Sequence, residues 1–272
     1  MNESAEGRGQ VGRVVVGMGK TGHSLALRLA REGLDFVAMD SRETPPFAEQ
    51  FRRELPGHVL HTGGFDARIL GAAEEILLSP GIDPREPAIA AAAAQGVPVI
   101  GDIEVFWRAA RAPIVGITGT NAKSTVTTLV GLMAVAASPA SAVGGNLGPP
   151  ALELLDPAVP LYVLELSSFQ LDLVQEFRAD VAAILNIAPD HLDRHGDMAH
   201  YVRAKQRIYR GARVAVFNRE DALTSPDWPC PATVSFGLDR PGSGHYGLLP
   251  GPDGEWLAAG EEPVMPVREL AL

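Results

Sequence analysis

One stretch indicates how the second part of this 272-residue chain folds: Ile114-Val115-Gly116-Ile117-Thr118-Gly119-Thr120-Asn121-Ala122-Lys123-Ser124-Thr125. Apolar residues lead into a short loop that contains glycine, and Lys-Ser-Thr then opens an apolar run, 126–136, that is typical of a helix. A strand, a loop and a helix in this order indicate a phosphate-binding loop. In such a loop the backbone N–H groups of the turn and of the first helical residues point at phosphate oxygens.

The residue types in this stretch suit a nucleotide. The Lys123 ammonium would neutralise the outer phosphates, and the Ser124 hydroxyl would bind Mg²⁺. We predict that the nucleotide is bound by Gly116, Thr118, Gly119, Thr120, Asn121, Ala122, Lys123, Ser124 and Thr125. The spacing G-x-x-G-x-x-A-K-S departs from the usual motif, and Ala122 stands where glycine is normal. An ordinary strand-to-helix turn with a solvated lysine is the alternative.

Composition limits the classes of protein that this chain can be. Hydrophobic residues make up 46% and charged residues 21%, which suits a globular protein with room for two domains. A net charge of −10 argues against binding to nucleic acid. The single cysteine, Cys230, excludes an intrachain disulfide. There is no signal-peptide pattern and no apolar run of the roughly 18 residues that a membrane span needs. We therefore expect a cytoplasmic protein.

The first part of the chain contains a second glycine motif. Residues 1–10 are polar, and we predict that they form a flexible tail. A short strand, 13–16, then runs into Gly17-Met18-Gly19-Lys20-Thr21-Gly22, which is followed by a helix and by a second strand, 36–39, that ends at Asp40. This pattern suggests a dinucleotide fold with Asp40 on a ribose hydroxyl. A tight turn that only packs the helix on the strand explains the glycines equally well.

Strands and helices alternate through residues 11–111, so we predict a Rossmann-like α/β domain there. One of its strands, 74–79, is closed by Ser79-Pro80-Gly81-Ile82, at the edge where open α/β sheets bind ligands. Residues 112–272 are predicted to form a P-loop-type α/β ATPase domain. Its Pro- and Gly-rich end, after about Thr224, suits hairpins at the edge of the sheet.

Four more residues of the second domain could take part in chemistry. Glu165 interrupts an apolar strand, where a carboxylate needs a partner such as Mg²⁺, unless it faces solvent or pairs with a lysine. His191, just past a strand end, could bind a metal, act as a base or cap the next helix. Lys205 shares its helix with arginines, so the residues alone indicate a solvated basic face. Asn146 could bind a substrate carbonyl or make a turn.

Taken in order, these motifs resemble the Mur ligases of bacterial cell-wall (peptidoglycan) synthesis. The stretch Leu164-Glu-Leu-Ser-Ser-Phe-Gln170 and the run Asp40-Ser41-Arg42 favour the members of this family that add D-glutamate. The matching stretches follow the family's order over nearly the whole chain, and they are 17–22, 40–42, 79–82, 116–125, 144–148, 164–170, 185–193 and 201–209.

The resemblance implies an ATP-dependent ligase. ATP would phosphorylate the terminal carboxylate of UDP-N-acetylmuramoyl-L-alanine, and the amine of D-glutamate would then attack the acyl phosphate. By the family's motifs, Lys123, Glu165, His191 and Lys205 are the catalytic set. Ser124 and Glu165 would hold one Mg²⁺ and His191 a second, with Lys205, once carbamylated, as a further metal ligand. The same resemblance puts the UDP-substrate on Lys20, Thr21, Asp40, Ser41, Arg42, Ser79, Gly81, Asn146 and His191.

The resemblance also implies a third, C-terminal ligase domain, which is missing from these 272 residues. We therefore expect the central domain to be incomplete at its C-terminal end. We also expect the chain to be a truncated monomer that binds the UDP-substrate but turns over weakly or not at all. Three alternatives stay open. They are an NAD(P)-dependent oxidoreductase built on the first glycine motif, a non-catalytic nucleotide-binding module, and another amide ligase of the superfamily, such as one that adds glutamate to folate.

Overall fold

The computed structural model describes residues 11–252 and 254–270. The tail predicted for residues 1–10 lies outside the described residues. Contacts within the chain divide it into two compact units. The described parts of the first unit are 11–109, 149–155 and 173–176, and those of the second are 110–148, 156–172, 177–252 and 254–270. Two short segments beyond residue 112 therefore belong to the first unit, and no change of composition marks them in the sequence.

The first unit is built on a parallel sheet. Its strands are β1 Val11–Val16, β2 Phe36–Asp40, β3 Val59–Thr62, β4 Ala73–Leu78 and β5 Val99–Ile100. Its helices are α1 Lys20–Arg31, α2 Ala48–Glu54, α3 Ala67–Gly71, α4 Pro87–Ala94 and α5 Asp102–Ala109. The strands lie in the order β3-β2-β1-β4-β5, and every pair is parallel. The chain order reverses between β1 and β4, which is where sheets of this type bind ligands.

Burial explains which elements of the first unit could be predicted. The central strands β1, β2 and β4 are rich in buried apolar residues, as expected for strands covered on both faces. By contrast, β3 lies at the edge of the sheet and is only half buried. No long apolar pattern therefore runs through residues 41–72, which contain α2, β3 and α3. These three elements were not predicted.

The turn from β1 to α1 depends on close backbone contacts. Gly17 has a φ of +93°, and its carbonyl oxygen accepts the Ser79 hydroxyl at 2.8 Å. Gly22 lies so near this turn that a Cβ atom there would be 1.7 Å from the Gly17 carbonyl oxygen. Gly19, in the middle of the motif, has open space around it. The first and third glycines of the motif are thus required by packing alone, whatever ligand binds.

The second unit is a larger mixed sheet. Its strands are β6 Ile114–Thr118, β7 Ala142–Gly145, β8 Tyr162–Glu165, β9 Val181–Ile184, β10 Val214–Asn218, β11 Ala232–Phe236, β12 Tyr246–Gly251, β13 Gly254–Ala259 and β14 Glu262–Pro266. Its α-helices are α6 Lys123–Ala137, α7 Ser168–Asp172, α8 Leu192–His195 and α9 Met198–Gln206. The strand order is β14-β13-β12-β11-β10-β9-β6-β8-β7.

Within this sheet β6 lies between β8 and β9 and is parallel to both. The last three strands form antiparallel hairpins at one edge, as predicted. The predicted α/β fold is confirmed in both units, with differences at the ends of elements. The predicted helix that carries Lys205 stops at Gln206 and continues as a 3₁₀ turn, Arg207–Tyr209. Among the described residues, no helix is long and apolar enough to cross a bilayer.

We predict that Gly22→Ala strongly destabilises the protein. The new methyl group would overlap the Gly17 carbonyl oxygen, so α1 or the turn must move. We expect a loss of about 3 kcal/mol or more in the free energy of unfolding, measured by urea denaturation. Gly19→Ala is the matched control because no atom lies within 4 Å of its new Cβ. It should cost no more than about 1 kcal/mol, because Gly19 is the N-cap of α1 and alanine caps a helix less well than glycine. Equal losses in the two variants would contradict this account of the motif.

Candidate functional site

The loop between β6 and α6 is held by side chains of the neighbouring β9 segment. Asn186 accepts the Asn121 N–H at 2.8 Å and donates to the Asn121 carbonyl at 3.1 Å. The Thr120 hydroxyl accepts the Ala188 N–H at 3.0 Å. Lys123 bends back over the loop and donates to the Thr120 carbonyl at 2.9 Å. Asn186 was not predicted, although its position just after an apolar strand is a signal that could have found it.

Two residues of this region have strained backbones. Among the described residues, the non-glycine residues with positive φ are Ala122, at 61°, and His191, at 50°. Such conformations persist only where the surroundings impose them, and they occur often at functional sites. Ala122 immediately precedes α6, and His191 immediately precedes α8. Both therefore lie at helix starts in the segments where the sequence predicted ligand binding.

Glu165 is the last residue of β8, and only 2% of its surface is exposed. Its position in the sheet is opposite Ile117 of β6, just before the phosphate loop. The Ser124 hydroxyl donates to Oε2 at 2.7 Å, and the Asn146 side-chain amide donates to Oε1 at 2.6 Å. The Asn146 N–H also donates to the Glu165 carbonyl at 2.9 Å. The alternatives of a solvent-facing or lysine-paired Glu165 are therefore wrong, since neutral donors hold it inside the protein.

The charge of Glu165 makes this position suitable for a cation. Both of its side-chain partners are neutral, and in the described part of the chain no basic side chain forms an ion pair with it. A buried carboxylate without a counter-charge is strongly disfavoured, and a bound cation would relieve this. The Ser124 hydroxyl and the carboxylate are oxygen ligands, the type that Mg²⁺ prefers. The residues present thus fit one Mg²⁺ between the loop and β8.

Lys205 is buried in α9, with 1% of its surface exposed. Its ammonium donates to the Gly119 carbonyl at 2.7 Å and lies 4.7 Å from the centre of the Tyr201 ring. The pKa of Lys205 is lowered to about 7, chiefly by burial and in part by the nearby Lys123, while Asp190 partly opposes the shift. The solvated basic face suggested by the residues alone is therefore wrong.

The sequence did contain a sign of this burial. Tyr201, Ala204, Lys205 and Ile208 are spaced as one face of a helix, and all four are buried. Lys205 takes a core position in that apolar series, whereas the arginines of the same segment lie on other faces of the helix. The helical period therefore separates Lys205 from its basic neighbours.

A cavity of about 130 Å³ brings several predicted residues together. It is lined by Lys123, Asn146, Ser167, Ser168, Phe169, Asp190, His191, Tyr201 and Lys205. Glu165 adjoins this set through its bond to Asn146. The His191 side chain is 52% exposed, and its Nε2 lies 3.4 Å from Asp190 Oδ2. The contributions of Tyr201 and Asp190 were not predicted.

Not every residue predicted for the nucleotide lies on the loop surface. Thr118 is fully buried in β6 and donates its hydroxyl to the Leu166 carbonyl at 2.7 Å. Gly116 is also inside β6, and a Cβ there would lie 3.3 Å from the side chains of Ile208 and Leu166. These two residues support the loop from within the sheet. Asn121, Ala122, Ser124 and Thr125 are exposed, and Lys123 is half-buried.

In the first unit, Asp40 shapes the glycine turn. Its carboxylate is fully buried and accepts the Met18 N–H at 2.7 Å, the Arg42 N–H at 2.9 Å and the Arg42 Nε at 2.8 Å. Burial acts to raise the pKa of Asp40, but the hydrogen bonds from Arg42 and Met18 outweigh it and lower the pKa. With the bond from Arg42 Nη2 at 2.6 Å, the two carboxylate oxygens accept four hydrogen bonds, so direct binding of a ribose hydroxyl by Asp40 would require Arg42 to move.

The other residues predicted for the UDP-substrate lie at the carboxyl edge of the first sheet. Lys20 and Thr21 begin α1, Ser41 and Arg42 follow β2, and Ser79 and Gly81 follow β4. The residues exposed at this edge are Lys20, Ser41, Arg42 and Gly81. Thr21 is half-buried, and Ser79 is buried and donates its hydroxyl to the turn. Three neighbouring strand ends thus present these residues at the switch point of the sheet.

Comparisons with known proteins identify the family of both units. The model of "Mur ligase MurD-like, N-terminal domain" matches residues 12–101, and that of "Mur ligase middle domain" matches residues 117–242. The UDP-N-acetylmuramoylalanine–D-glutamate ligase of Pseudomonas aeruginosa is 51% identical over 264 residues, which are 96% of this chain and 58% of the relative. That of Nitrosococcus oceani is 45% identical over 277 residues, which are 100% of this chain and 60% of the relative. The chain thus spans about three-fifths of the length of these curated relatives.

Solved structures agree on the fold. The UDP-N-acetylmuramate:L-alanyl-gamma-D-glutamyl-meso-diaminopimelate ligase from Neisseria meningitides superposes with a TM-score of 0.58 at 17% identity. The superposition covers 93% of this chain and 86% of that one. At this level of identity the similarity concerns the fold alone.

The buried lysine should make stability depend on pH. The pKa of Lys205 is about 7 in the folded protein, against 10.5 for an ordinary lysine. Between these values the unfolded chain binds more protons, so the contribution of Lys205 to stability rises with pH. We expect the stability of Lys205→Met relative to the unsubstituted protein to fall by up to about 1.4 kcal/mol per pH unit in this range. Urea denaturation in buffer free of carbon dioxide measures this. A flat Lys205→Met profile would contradict the prediction.

The strained Ala122 predicts an unusual effect of glycine. The left-handed conformation costs alanine roughly 1–2 kcal/mol, and the extra freedom of glycine in the unfolded chain offsets about 0.4–1 kcal/mol of this. We expect Ala122→Gly to stabilise the protein by up to about 1 kcal/mol in thermal or urea unfolding. Ala134→Gly, inside the same helix, is the matched control and should destabilise by about 1 kcal/mol. Changes of the same sign at both positions would refute the strain argument.

Proposed function

Since this chain belongs to the Mur ligase family, we propose that it provides the substrate-binding and ATP-binding parts of a ligase that adds D-glutamate to UDP-N-acetylmuramoyl-L-alanine. In this reaction the substrate carboxylate attacks the γ-phosphorus of ATP, and ADP leaves. The D-glutamate amine then attacks the acyl carbon, and phosphate leaves as the amide forms. Such a reaction serves peptidoglycan synthesis in the cytoplasm.

The observation that carries the proposal is the buried Glu165 carboxylate beside the Ser124 hydroxyl of the phosphate loop. A phosphoryl transfer needs a cation beside the nucleotide, and these two oxygen ligands would hold Mg²⁺. When bound, Mg²⁺ would neutralise charge that develops on the transferred phosphoryl group. The first residues of α6, 123–125, offer N–H groups for the phosphates, because the first N–H groups of a helix have no partner within it.

The remaining residues have separate tasks in this proposal. Lys123 would exchange its bond to the Thr120 carbonyl for the outer phosphates, a step that needs only side-chain rotation. His191, on the exposed side of the cavity, would bind a second cation close to the acyl carboxylate. Asn146 would orient the substrate while it continues to hold Glu165.

Lys205 would be carbamylated in the working enzyme. Its pKa of about 7 means that a large fraction of the amine is neutral near pH 7, and the neutral amine is the form that adds carbon dioxide. The product is an anion, which would replace a cation beside Lys123 and favour the second metal. The buried position 2.7 Å from the Gly119 carbonyl is otherwise costly for an ammonium group.

The first unit would bind the UDP-sugar through Lys20, Thr21, Ser41, Arg42 and Gly81. The oxidoreductase alternative depends on Asp40 as an acceptor for a ribose hydroxyl, and its oxygens are already used by Met18 and Arg42. In the proposed site Asp40 instead positions Arg42, whose exposed guanidinium would face the diphosphate or uridine.

We predict that two substitutions separate the two ligands. Arg42→Ala should weaken binding of UDP-N-acetylmuramoyl-L-alanine by about 10–100-fold and leave ATP binding unchanged, because it removes one charged contact in the first unit. Lys123→Ala should weaken binding of ATP and leave binding of UDP-N-acetylmuramoyl-L-alanine unchanged. Isothermal titration calorimetry with each ligand, in the presence of Mg²⁺, measures both effects on the 272-residue chain.

Arg68→Ala is the matched control for Arg42→Ala. Arg68 also pairs with an aspartate two residues earlier, Asp66, but its side chain is 91% exposed and it follows β3, whose end carries none of the residues predicted for the UDP-substrate. It should bind both ligands normally. Tighter binding of NADH than of the UDP-substrate, or equal effects of Arg42→Ala and Arg68→Ala, would overturn the proposed function.

A further inference from the structure

Outside the proposed catalytic set, three metal-ligating side chains converge from three helices. Asp172 ends α7, His195 ends α8 and His200 lies in the first turns of α9. One ligand atom from each residue lies within 4.8 Å of the others. None of these residues has a task in the ligase reaction proposed above.

The contacts within this cluster orient the rings. His200 Nε2 lies 3.3 Å from each carboxylate oxygen of Asp172. The rings of His195 and His200 are 5.4 Å apart, edge to face. His195 is buried, and its Nε2 is 3.0 Å from the Ser168 hydroxyl. Metal-binding imidazoles usually have such a partner at one ring nitrogen, which fixes the ring.

The carboxylate of Asp172 is also held from outside the cluster. Arg207 donates to the Asp172 backbone carbonyl, and its guanidinium lies 3.6 Å from Asp172 Oδ1. His200 Nε2 contacts both carboxylate oxygens, so a cation bound between the two side chains would replace this contact. Carboxylates that a neighbouring group holds in place are common around protein-bound metals.

The cluster is accessible from solvent. A cavity of about 490 Å³ opens beside it, lined by Asp172, His200, Arg203, Gln206, Arg207, Asp227 and Trp228. Asp172 and His200 are partly exposed and line this cavity, whereas His195 is buried behind them in the cluster. An ion could therefore enter without unfolding of the helices.

We propose that Asp172, His195 and His200 bind a divalent transition-metal ion of the Zn²⁺ type. Two imidazoles and one carboxylate suit Zn²⁺ or Co²⁺ far better than Mg²⁺, which prefers oxygen ligands. Tetrahedral Zn²⁺ with bonds of about 2.0–2.1 Å needs ligand atoms roughly 3.4 Å apart, so modest rotations of these side chains would complete the site. A water molecule would fill the fourth position from the cavity.

This ion would stabilise the arrangement of the helices that line the candidate active site. Ser168 and Phe169 of α7 line the 130 Å³ cavity, as do His191, just before α8, and Lys205 of α9. A metal bound to the ends of these helices would fix their relative positions. Its role is thus structural and separate from the Mg²⁺ that Glu165 would hold.

Titration of Zn²⁺ and Co²⁺ into the metal-free 272-residue protein, in excess Mg²⁺, tests the proposal. We expect saturable binding of one ion, visible absorption of tetrahedral Co²⁺, and a rise in melting temperature with Zn²⁺. Asp172→Asn and His200→Asn, at partly exposed positions, should each weaken binding by at least about tenfold. Circular dichroism and melting of the metal-free variants check that they fold.

The controls test for binding elsewhere. His61→Asn removes an exposed histidine of the first unit, and Cys230→Ser removes the thiol. Both should bind Zn²⁺ as the unsubstituted protein does. His191→Asn removes the histidine proposed for the catalytic cation and reports whether Zn²⁺ binds in that cavity instead. The proposal is overturned if His191→Asn weakens binding and His200→Asn does not, if all variants bind alike, or if no saturable binding occurs.

Discussion

The Glu165 carboxylate is buried at the end of β8, where neighbouring chain segments must supply its hydrogen bonds. Removal of this charge from water costs several kcal/mol, and hydrogen bonds from the Ser124 hydroxyl and the Asn146 amide offset only part of that cost. The start of α6 and the loop after β7 are thereby tied to one strand end. Both donors are neutral, so the negative charge has no basic partner among the described residues, and this is why we propose a cation there.

Both glycine-bearing turns are stabilised in the same way, by polar side chains from adjacent strand ends. Asp40 and Ser79 bond to the turn after β1, and Asn186 bonds to the loop after β6, where the loop's own Thr120 hydroxyl also accepts the Ala188 N–H. Each such hydrogen bond contributes about 1 kcal/mol, enough together to hold a left-handed alanine in the second loop. The consequence is a pair of turns whose backbone conformation is set before any ligand arrives. Preorganised N–H groups of this kind favour anion binding.

Much of this arrangement could be predicted from local patterns. The strand, loop and helix around residues 114–137 and the first βαβ unit follow from apolar runs and glycine spacing, which act over a few residues. The region 41–72 was not predicted, because a half-exposed edge strand and short helices carry little pattern. From the charges of its neighbours, Lys205 was predicted to lie on a solvated face. Its spacing from Tyr201, Ala204 and Ile208 would have indicated burial.

By itself, the amino-acid sequence determined which side chains were available and the local turns that carry them, because those depend on neighbouring residues and on backbone sterics. The contacts between side chains that are distant in the sequence depend on the three-dimensional packing of the strands. Ser124 reaches Glu165, and Lys205 reaches the Gly119 carbonyl, because β6 is inserted between β8 and β9 in a particular register. Parallel strand order and register arise from packing between residues that are distant in sequence, so no local pattern encodes them.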